Sequence, residues 1–272
     1  MKEHSKNRFK VFKQLHYQAE AFVLANAWDA GSAKLLQTLG FAALGTTSAG
    51  LAFSNGKRDS ANCLSCEEIL ANASAIVEAA RLPVSADLEH GFGESPEACV
   101  ETVLAAIDVG LAGGSIEDAS GNAATPIFEF ELAVERISAV SEAIKDLPFL
   151  LTARAENYLH GRPDLDDTIL RLQAFERAGA DVLYAPGLNS INDIRTVCES
   201  VGKPVNVVMG LGSSEFTVQQ LSDVGVKRIS VGGSFARAAL GELMRAASEV
   251  ASRGTFTYLD QVLPDPETTG KF

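Results

Sequence analysis

The stretch PVSADLE at residues 83–89, the helical pattern from Pro96 to Val109 and LAGGSIED at residues 111–118 together decide the fold. The first and last are short runs of mostly apolar and small residues, which predict buried strands. Between them, apolar residues recur at intervals of three and four, as on a helix with one face against a sheet. This order predicts parallel strands, because a parallel neighbour needs a crossover connection.

The same unit recurs along the chain. The predicted strands are Phe22–Ala27, Ala42–Ser48, Pro83–Glu89, Leu111–Asp118, Pro148–Glu156, Asp181–Pro186, Pro204–Met209 and Arg228–Gly232. The predicted helices are Cys66–Ala80, Pro96–Val109, Glu129–Ile144, Thr168–Ala178, Ile191–Val201 and Thr217–Asp223. Eight units without a break in composition predict one closed (β/α)₈ barrel of the TIM type over residues 1–272, with an open doubly wound sheet as the alternative. We expect a lead helix over about residues 1–20 and a polar, loose or partner-docked tail over about residues 255–272.

Composition limits the classes of partner. The chain has 272 residues with 23 Lys and Arg against 35 Asp and Glu, a net charge of −12, which argues against nucleic-acid binding. No apolar run approaches the roughly 18 residues of a membrane span, and the basic N-terminus lacks the apolar core of a secretory signal. Four cysteines cannot form a disulfide scaffold in a chain of this length. We therefore expect a cytoplasmic protein that binds neither nucleic acid nor membrane.

Acidic residues collect at the carboxyl ends of three consecutive units, where a barrel carries its chemistry. They are Asp59, Asp87, Glu89, Glu117 and Asp118. Asp87 and Glu89 are two apart on one predicted strand, so their side chains are expected to point the same way. Crowded carboxylates repel one another, and a hard divalent cation relieves that repulsion. The pattern predicts a Mg²⁺ site, with Mn²⁺ as a second choice. The alternative is that such residues cap helices, above all Asp118.

Arg154 ends an otherwise apolar predicted strand, FLLTAR. An arginine at a barrel mouth needs an anion, so a two-pronged clamp on a substrate carboxylate is predicted. The alternative is a structural ion pair with Glu156 or Glu117. The predicted strand ends also carry polar groups at Thr47, Ser48 and Asn206, and we take Asn206 as a further candidate for substrate binding.

Six short motifs at these positions resemble the isocitrate lyase/phosphoenolpyruvate mutase superfamily. They are NAWDAGSA (26–33), TTSAG (46–50), GKRD (56–59), ADLEHGFG (86–93), SIED (115–118) and TARAE (152–156). The resemblance extends over about residues 22–240. It implies a (β/α)₈ barrel in a homo-oligomer, a tetramer or a dimer, whose last helix is exchanged between subunits. It also implies a 2-oxo or 2-hydroxy acid substrate that binds with Mg²⁺.

Carried over by motif, the resemblance implies that Asp87 is a metal ligand and that Glu89 and Glu117 position metal-bound waters. Glu89 stands where many relatives have aspartate, which lengthens one arm without removing a charge. Asp59 corresponds to an aspartate beside metal and substrate, so Asp59, Glu117 and Arg154 are the catalytic candidates. The candidate substrate-binding residues are Thr47, Ser48, Ala49, Gly50, Arg154 and Asn206.

The loop after the fourth predicted strand departs from the family pattern. The carbon–carbon lyases carry K-K/R-C-G-H there, and its cysteine protonates the departing carbanion. Residues 117–126 of this chain read EDASGNAATP, with neither cysteine nor lysine. This argues against an isocitrate or methylisocitrate lyase. The mutases and phosphonopyruvate hydrolases carry lysine and asparagine in a longer loop, and only Asn122 corresponds.

We therefore expect a Mg²⁺-dependent enzyme that acts next to the carbonyl of a small 2-oxo acid. It would be a carbon–carbon lyase, decarboxylase or hydrolase of an oxaloacetate-like acid, in which the metal stabilises enolate charge. Its proton would come from metal-bound water, Asp59, Tyr158 or His160. One alternative is a phosphoenolpyruvate mutase or phosphonopyruvate hydrolase. The other is a non-catalytic member that binds a metabolite.

Overall fold

A computed structural model of the chain describes residues 3–60, 63–212 and 216–272. Eight parallel strands follow one another around a closed barrel in chain order, and β1 pairs with β8 to complete it. The strands are β1 (Phe22–Ala27), β2 (Ala43–Thr46), β3 (Val84–Asp87), β4 (Gly113–Glu117), β5 (Leu150–Arg154), β6 (Val182–Tyr184), β7 (Val205–Val208) and β8 (Arg228–Ser230). The predicted (β/α)₈ barrel is confirmed, and all eight predicted strands are present.

Helices alternate with the strands and pack around the barrel. They are α1 (Glu3–Leu15), α2 (Ala30–Thr38), α3 (Ser48–Ser54), α4 (Cys66–Ala79), α5 (Pro96–Asp108), α6 (Phe130–Ile144), α7 (Leu165–Arg177), α8 (Ile191–Ser200), α9 (Val218–Asp223), α10 (Ser234–Arg253) and α11 (Asp265–Thr269). The main hydrophobic core lies between this ring and the outward faces of the strands. None of the helices in the described ranges is long and apolar enough to span a bilayer.

All strands except β1 end one or two residues earlier than predicted, and two of these ends matter for the cavity. The strand predicted to reach Ser48 ends at Thr46, because the Thr47 hydroxyl accepts the Gly50 N–H (3.3 Å) and so caps helix α3. The strand predicted to reach Glu89 ends at Asp87, and Glu89 has a φ of 48°, in the left-handed region. Its side chain is therefore not placed by strand alternation.

Helix α1 covers the amino ends of the strands. Phe12 and Leu15 are buried against the starts of several strands, including Phe22 and Leu150. The lead helix ends at Leu15, earlier than predicted, and residues 1 and 2 of that prediction lie outside the described residues. This end of the barrel is closed by an apolar plug.

The segment after α10, predicted to be loose or docked on a partner, contains a 3₁₀ helix (Thr257–Gln261) and α11. Its last residue lies near α2, where Lys34 Nζ donates to the Phe272 carbonyl oxygen (3.1 Å). Exposed apolar side chains are concentrated on this segment and on α10: Leu240, Leu243, Met244, Phe256, Leu259, Val262, Leu263 and Phe272.

The inside of the barrel is polar, whereas branched apolar side chains usually fill a barrel of this type. A cavity of about 530 Å³ opens at the carboxyl ends of the strands and reaches down between them. Small or polar residues line its lower part: Asn26, Gly45, Ser85, Ser115, Asn206 and Ser230. The sequence therefore builds a hollow barrel that is open at one end.

Candidate active site

Four of the predicted acidic residues surround the mouth of the cavity. Asp87 ends β3, Glu117 ends β4, Glu89 follows β3, and Asp59 lies in the loop after α3; all four line the cavity. We call these four residues the acidic rim. The acidic residues that the sequence places in three separate units thus lie around one opening.

Arg154, at the end of β5, is bonded to carboxylates through all three of its nitrogens. Nη1 lies 2.9 Å from Asp87 Oδ1, Nη2 lies 3.1 Å from Glu117 Oε2, and Nε lies 2.8 Å from Glu156 Oε1. Glu117 and Glu156 are the partners that the structural interpretation of Arg154 named. Since a guanidinium has five N–H donors, two remain for a ligand. Arg154 therefore forms ion pairs with three carboxylates and still has two N–H donors for a ligand.

One arginine does not neutralise the rim, and the pKa values reflect this. Burial, with the negative charges of Asp87 and Asp59, raises the pKa of Glu89 to about 7. Burial and the charge of Asp87 also raise the pKa of Asp59. Burial raises the pKa of Glu117, although the charge of Arg154 opposes the shift. Proton uptake or a bound cation would relieve this excess of negative charge.

A buried arginine holds the loop that carries Glu89. Arg136 on α6 is 1% exposed and donates to the backbone carbonyls of His90, Gly93 and Glu94. Its guanidinium also lies over the Phe128 ring, 4.3 Å from the centroid. These contacts secure the loop that follows the left-handed Glu89, a conformation costing about 1 kcal/mol or more for a residue with a side chain.

Asp118 lies behind the rim and does not line the cavity. Its Oδ1 accepts the Glu156 N–H (2.8 Å), and its Oδ2 accepts from Arg171 Nη1 (3.1 Å). The residue that precedes α6 at its cap is Glu129, so the helix-cap alternative for Asp118 is wrong. Asp118 instead fixes the backbone at Glu156, the residue that receives Arg154 Nε.

Most of the candidate substrate-binding residues line the cavity, and one lies behind its wall. Thr47, Ser48, Ala49 and Asn206 line the cavity, whereas Gly50 is packed behind Thr47. The Ser48 hydroxyl donates to Asp87 Oδ2 (2.9 Å), which ties the start of α3 to the rim. Because the Gly50 N–H is bonded to Thr47, it serves the helix cap.

The proton-donor candidates also differ in position. His160 is exposed and lines the cavity, whereas Tyr158 does not line it and packs beside Gly187. The loop after β4 is short, and its Asn122 is exposed with Oδ1 accepting the Ala124 N–H (2.9 Å). Asn122 is thus engaged within its own turn.

Within the described ranges, no three His, Cys, Asp or Glu side chains form a ready set of direct metal ligands. The donor set nevertheless suits a hard cation, because rim carboxylates of raised pKa lie around one arginine. Such an ion would take one or two protein carboxylates and complete its ligands with substrate and water, as Mg²⁺ usually does.

Two residues of the cavity escaped the sequence analysis. Tyr184 on β6 is buried, and its ring centre lies 5.0 Å from Arg154 Cζ. Arg228 begins β8 and lines the bottom of the cavity. Arg228 was missed because only strand carboxyl ends were searched for function, and Tyr184 because its strand was predicted to continue to Pro186. The alternation of RIS at residues 228–230, which places Arg228 and Ser230 on one face, was the available signal.

Comparisons with known proteins extend over the whole barrel. A family model described as phosphoenolpyruvate phosphomutase matches residues 12–251. An uncharacterized protein of Mycobacterium tuberculosis strain H37Rv is 32% identical over 245 residues, 88% of each chain. An oxaloacetate decarboxylase of Pseudomonas entomophila is 28% identical over 224 residues, covering 80% of this chain and 75% of that protein. A crystal structure from Burkholderia cenocepacia J2315, of a protein assigned provisionally as a lyase/mutase, is 49% identical with a TM-score of 0.96, and covers 99% of this chain and 96% of that one.

Proposed function

Because the chain belongs to the phosphoenolpyruvate phosphomutase/isocitrate lyase superfamily, we propose that it is an enzyme that breaks a carbon–carbon bond next to the carbonyl of an oxaloacetate-like 2-oxo acid. The observation that carries the proposal is the acidic rim gathered around Arg154 at the mouth of a polar cavity. The similarity to an oxaloacetate decarboxylase supports the same class of substrate.

The proposal includes a divalent cation, Mg²⁺ or Mn²⁺. Asp87 would hold it directly, and Glu89 and Glu117 would lie in the surrounding shell, since all three line one cavity. When bound, the ion supplies a Lewis acid where negative charge develops on the carbonyl oxygen, and it stabilises the transition state more than the bound substrate. It would also relieve the repulsion from Asp87 and Asp59, which together with burial raises the pKa of Glu89 to about 7.

The chain's own groups would bind and orient the acid. Arg154 has two N–H donors left over from its ion pairs, enough for a carboxylate held on two prongs. Thr47 and Ser48, at the start of α3, line the same cavity, where the Thr47 hydroxyl and the backbone N–H groups would donate to the acid, while the Ser48 hydroxyl is bonded to Asp87. These contacts place the bond that is to break beside the rim.

In the proposed cleavage of an oxaloacetate-like acid, the bond between the third and fourth carbons would break and the terminal carboxylate would leave as CO₂. The bonding electron pair would form an enolate, whose third carbon must then receive a proton. We assign this donation to Asp59, which lines the cavity and whose pKa is raised by burial and by the charge of Asp87. A carboxyl with a raised pKa retains its proton nearer neutral pH and can give it up at the enolate carbon. His160 at the mouth is the second candidate donor.

Phosphorus–carbon chemistry is the competing reaction. It would need donors for a phosphoryl group in the loop after β4. In that loop the Asn122 side chain is bonded to the Ala124 N–H, and residues 119–126 contain no lysine or arginine. The geometry therefore favours carbon–carbon cleavage.

The test is a steady-state screen of the purified protein with oxaloacetate, a methylisocitrate-type acid and phosphonopyruvate. We expect turnover of oxaloacetate or a related 2-oxo acid with Mg²⁺, and its loss in EDTA. Turnover of phosphonopyruvate alone would replace carbon–carbon by phosphorus–carbon cleavage. Full activity in EDTA would remove the metal from the proposal, and binding of the acids without turnover would make the protein a non-catalytic member.

We also propose that the active form is a homo-oligomer. Leu243 and Met244 on α10 are 62% and 66% exposed, and Phe256 beyond it is 59% exposed. A second copy of the chain that exchanges its last helix would cover these apolar groups. Burial of such surface is what normally drives association of subunits.

A further inference from the structure

At the bottom of the cavity lies a buried cation without a counter-charge. Arg228 is 3% exposed, and its described partners are Asn206 Oδ1 (2.9 Å from Nε), Thr152 Oγ1 (3.0 Å from Nη2) and His16 Nε2 (3.4 Å from Nη1). None of these is a carboxylate. We call Arg228 and these three partners the floor of the cavity.

His16 is neutral, so it neither compensates the charge of Arg228 nor adds to it. Its Nδ1 lies 2.8 Å from the Phe12 carbonyl oxygen, so the proton is on Nδ1 and Nε2 accepts from Arg228. Burial and the charge of Arg228 lower the pKa of His16 to about 3. The floor therefore holds one uncompensated positive charge.

Arg136 shows how this chain satisfies a buried guanidinium when its role is structural. It donates to three backbone carbonyl oxygens and lies over an aromatic ring, and it does not line the cavity. Arg228 has three neutral partners, lines the cavity, and keeps two of its five N–H donors without a partner among the described residues. Burial and the positive charge of Arg154 lower the pKa of Arg228 to about 9, although Tyr184 opposes the shift.

A second donor lies nearby. Ser115 is the register partner of Thr152, the residue that accepts from Arg228, so the two side chains lie on the same face of neighbouring strands about 5 Å apart. Ser115 is 8% exposed, lines the cavity, and its hydroxyl has no hydrogen-bond partner within the described ranges. The rim carboxylates Asp87 and Glu117 are bonded to Arg154 and not to Arg228.

We propose that the floor is a binding site for a small anion of carboxylate type, held by Arg228 with the hydroxyl of Ser115. The anion can come from two sources. It is either the second carboxylate of a dicarboxylic substrate or a free monocarboxylate such as formate. Either would neutralise the buried guanidinium and occupy its free donors.

The site itself is tested without any assumption about activity, by anomalous diffraction from crystals of the full chain equilibrated with sodium bromide. We expect a bromide peak beside the Arg228 guanidinium, its displacement by sodium formate, and its absence in Arg228→Gln. Glutamine keeps a hydrogen-bond donor and removes the charge. If that variant does not fold, the wild-type titration with bromide and formate decides alone.

Three results would overturn the site. One is an ordered water at Arg228 that has no anomalous signal at any bromide concentration. Another is a peak that persists in Arg228→Gln. The third is bromide at surface positions only, which would be an adventitious ion only. Because these readouts do not need turnover, they remain decisive even if the proposed reaction is wrong.

Steady-state kinetics identify the source of the anion. This second experiment rests on the proposed function. If the substrate supplies the carboxylate, bromide competes with a dicarboxylic 2-oxo acid, and Arg228→Gln raises the KM for that acid roughly tenfold while leaving a monocarboxylic 2-oxo acid unaffected. If the anion is free, bromide does not compete and the variant changes the two KM values equally. Both results support the site and identify its occupant.

Discussion

The rim and the floor of the cavity are built by one barrel, yet they carry opposite charge. At the rim, Asp59, Asp87, Glu89 and Glu117 surround a single guanidinium. At the floor, Arg228 has only neutral partners. Burial disfavours charge at both ends, so it raises the pKa of Glu89 at the rim and lowers the pKa of Arg228 at the floor. The comparison shows that the two ends of the cavity differ in charge. The acidic rim is suited to a cation, and the floor is suited to an anion.

The largest expected effect is at the rim, in Asp87→Asn. The substitution keeps the shape and removes the charge that Arg154 and the proposed metal share. We expect kcat/KM to fall by about 1,000-fold, as for loss of a main electrostatic group. Binding of Mn²⁺, followed by electron paramagnetic resonance, should be lost while the melting temperature is kept. Asp166→Asn, on an exposed turn of α7, is the matched control. Normal activity and metal binding in Asp87→Asn would contradict the rim assignment.

The next effect is expected in Arg154→Lys. A lysine cannot contact three carboxylates and a ligand at once, because it is a point charge instead of a planar fork. Losing one or two charged hydrogen bonds should raise KM roughly 10- to 100-fold. Arg177→Lys, an exposed substitution of the same kind, should leave KM unchanged. An unchanged KM in Arg154→Lys would make the arginine purely structural and leave substrate recognition to the floor.

The smallest effect is at the floor, and it is a pH dependence of stability. His16 has a pKa of about 3 in the folded chain and about 6.5 when unfolded, so it stays neutral while the unfolded chain takes up a proton. Its contribution to the free energy of unfolding is complete above pH 6.5 and is lost as the pH falls toward 3. The wild type should lose up to about 2 kcal/mol between pH 6.5 and 5 through this group. Urea denaturation of His16→Gln should show a shallower loss, whereas the exposed His160→Gln should keep the wild-type slope. Parallel slopes for all three proteins would contradict a neutral His16 at the floor.

Sequence reasoning predicted the barrel and named all four residues of the acidic rim for a physical reason. Parallel strands end at one edge, so residues at strand ends such as Asp87, Glu117 and Arg154 must converge whatever the details of packing. The pairing of Glu117 with Arg154 in register shows this directly. Topology alone is enough to place such residues together.

Other features depend on contacts that are distant in sequence. The left-handed backbone of Glu89 belongs to a loop secured by Arg136, whose contacts lie 42 to 46 residues away. Ser48 begins a helix because Thr47 caps it, a local choice that a β-rich pattern concealed. Arg228 stands at the amino end of its strand, so a search of carboxyl ends could not find it. These positions follow from packing, which periodicity does not encode.

Phe12 of helix α1 and the buried His16 that follows the helix close the barrel beneath Arg228, so exchange between the cavity and bulk water takes place at the rim. Ligands thus enter and leave the cavity through the same opening. For the proposed cleavage, the fragment nearer the opening would have to leave before the deeper one. We therefore expect ordered release, with the deeper fragment, added in excess, acting as a competitive inhibitor of the substrate.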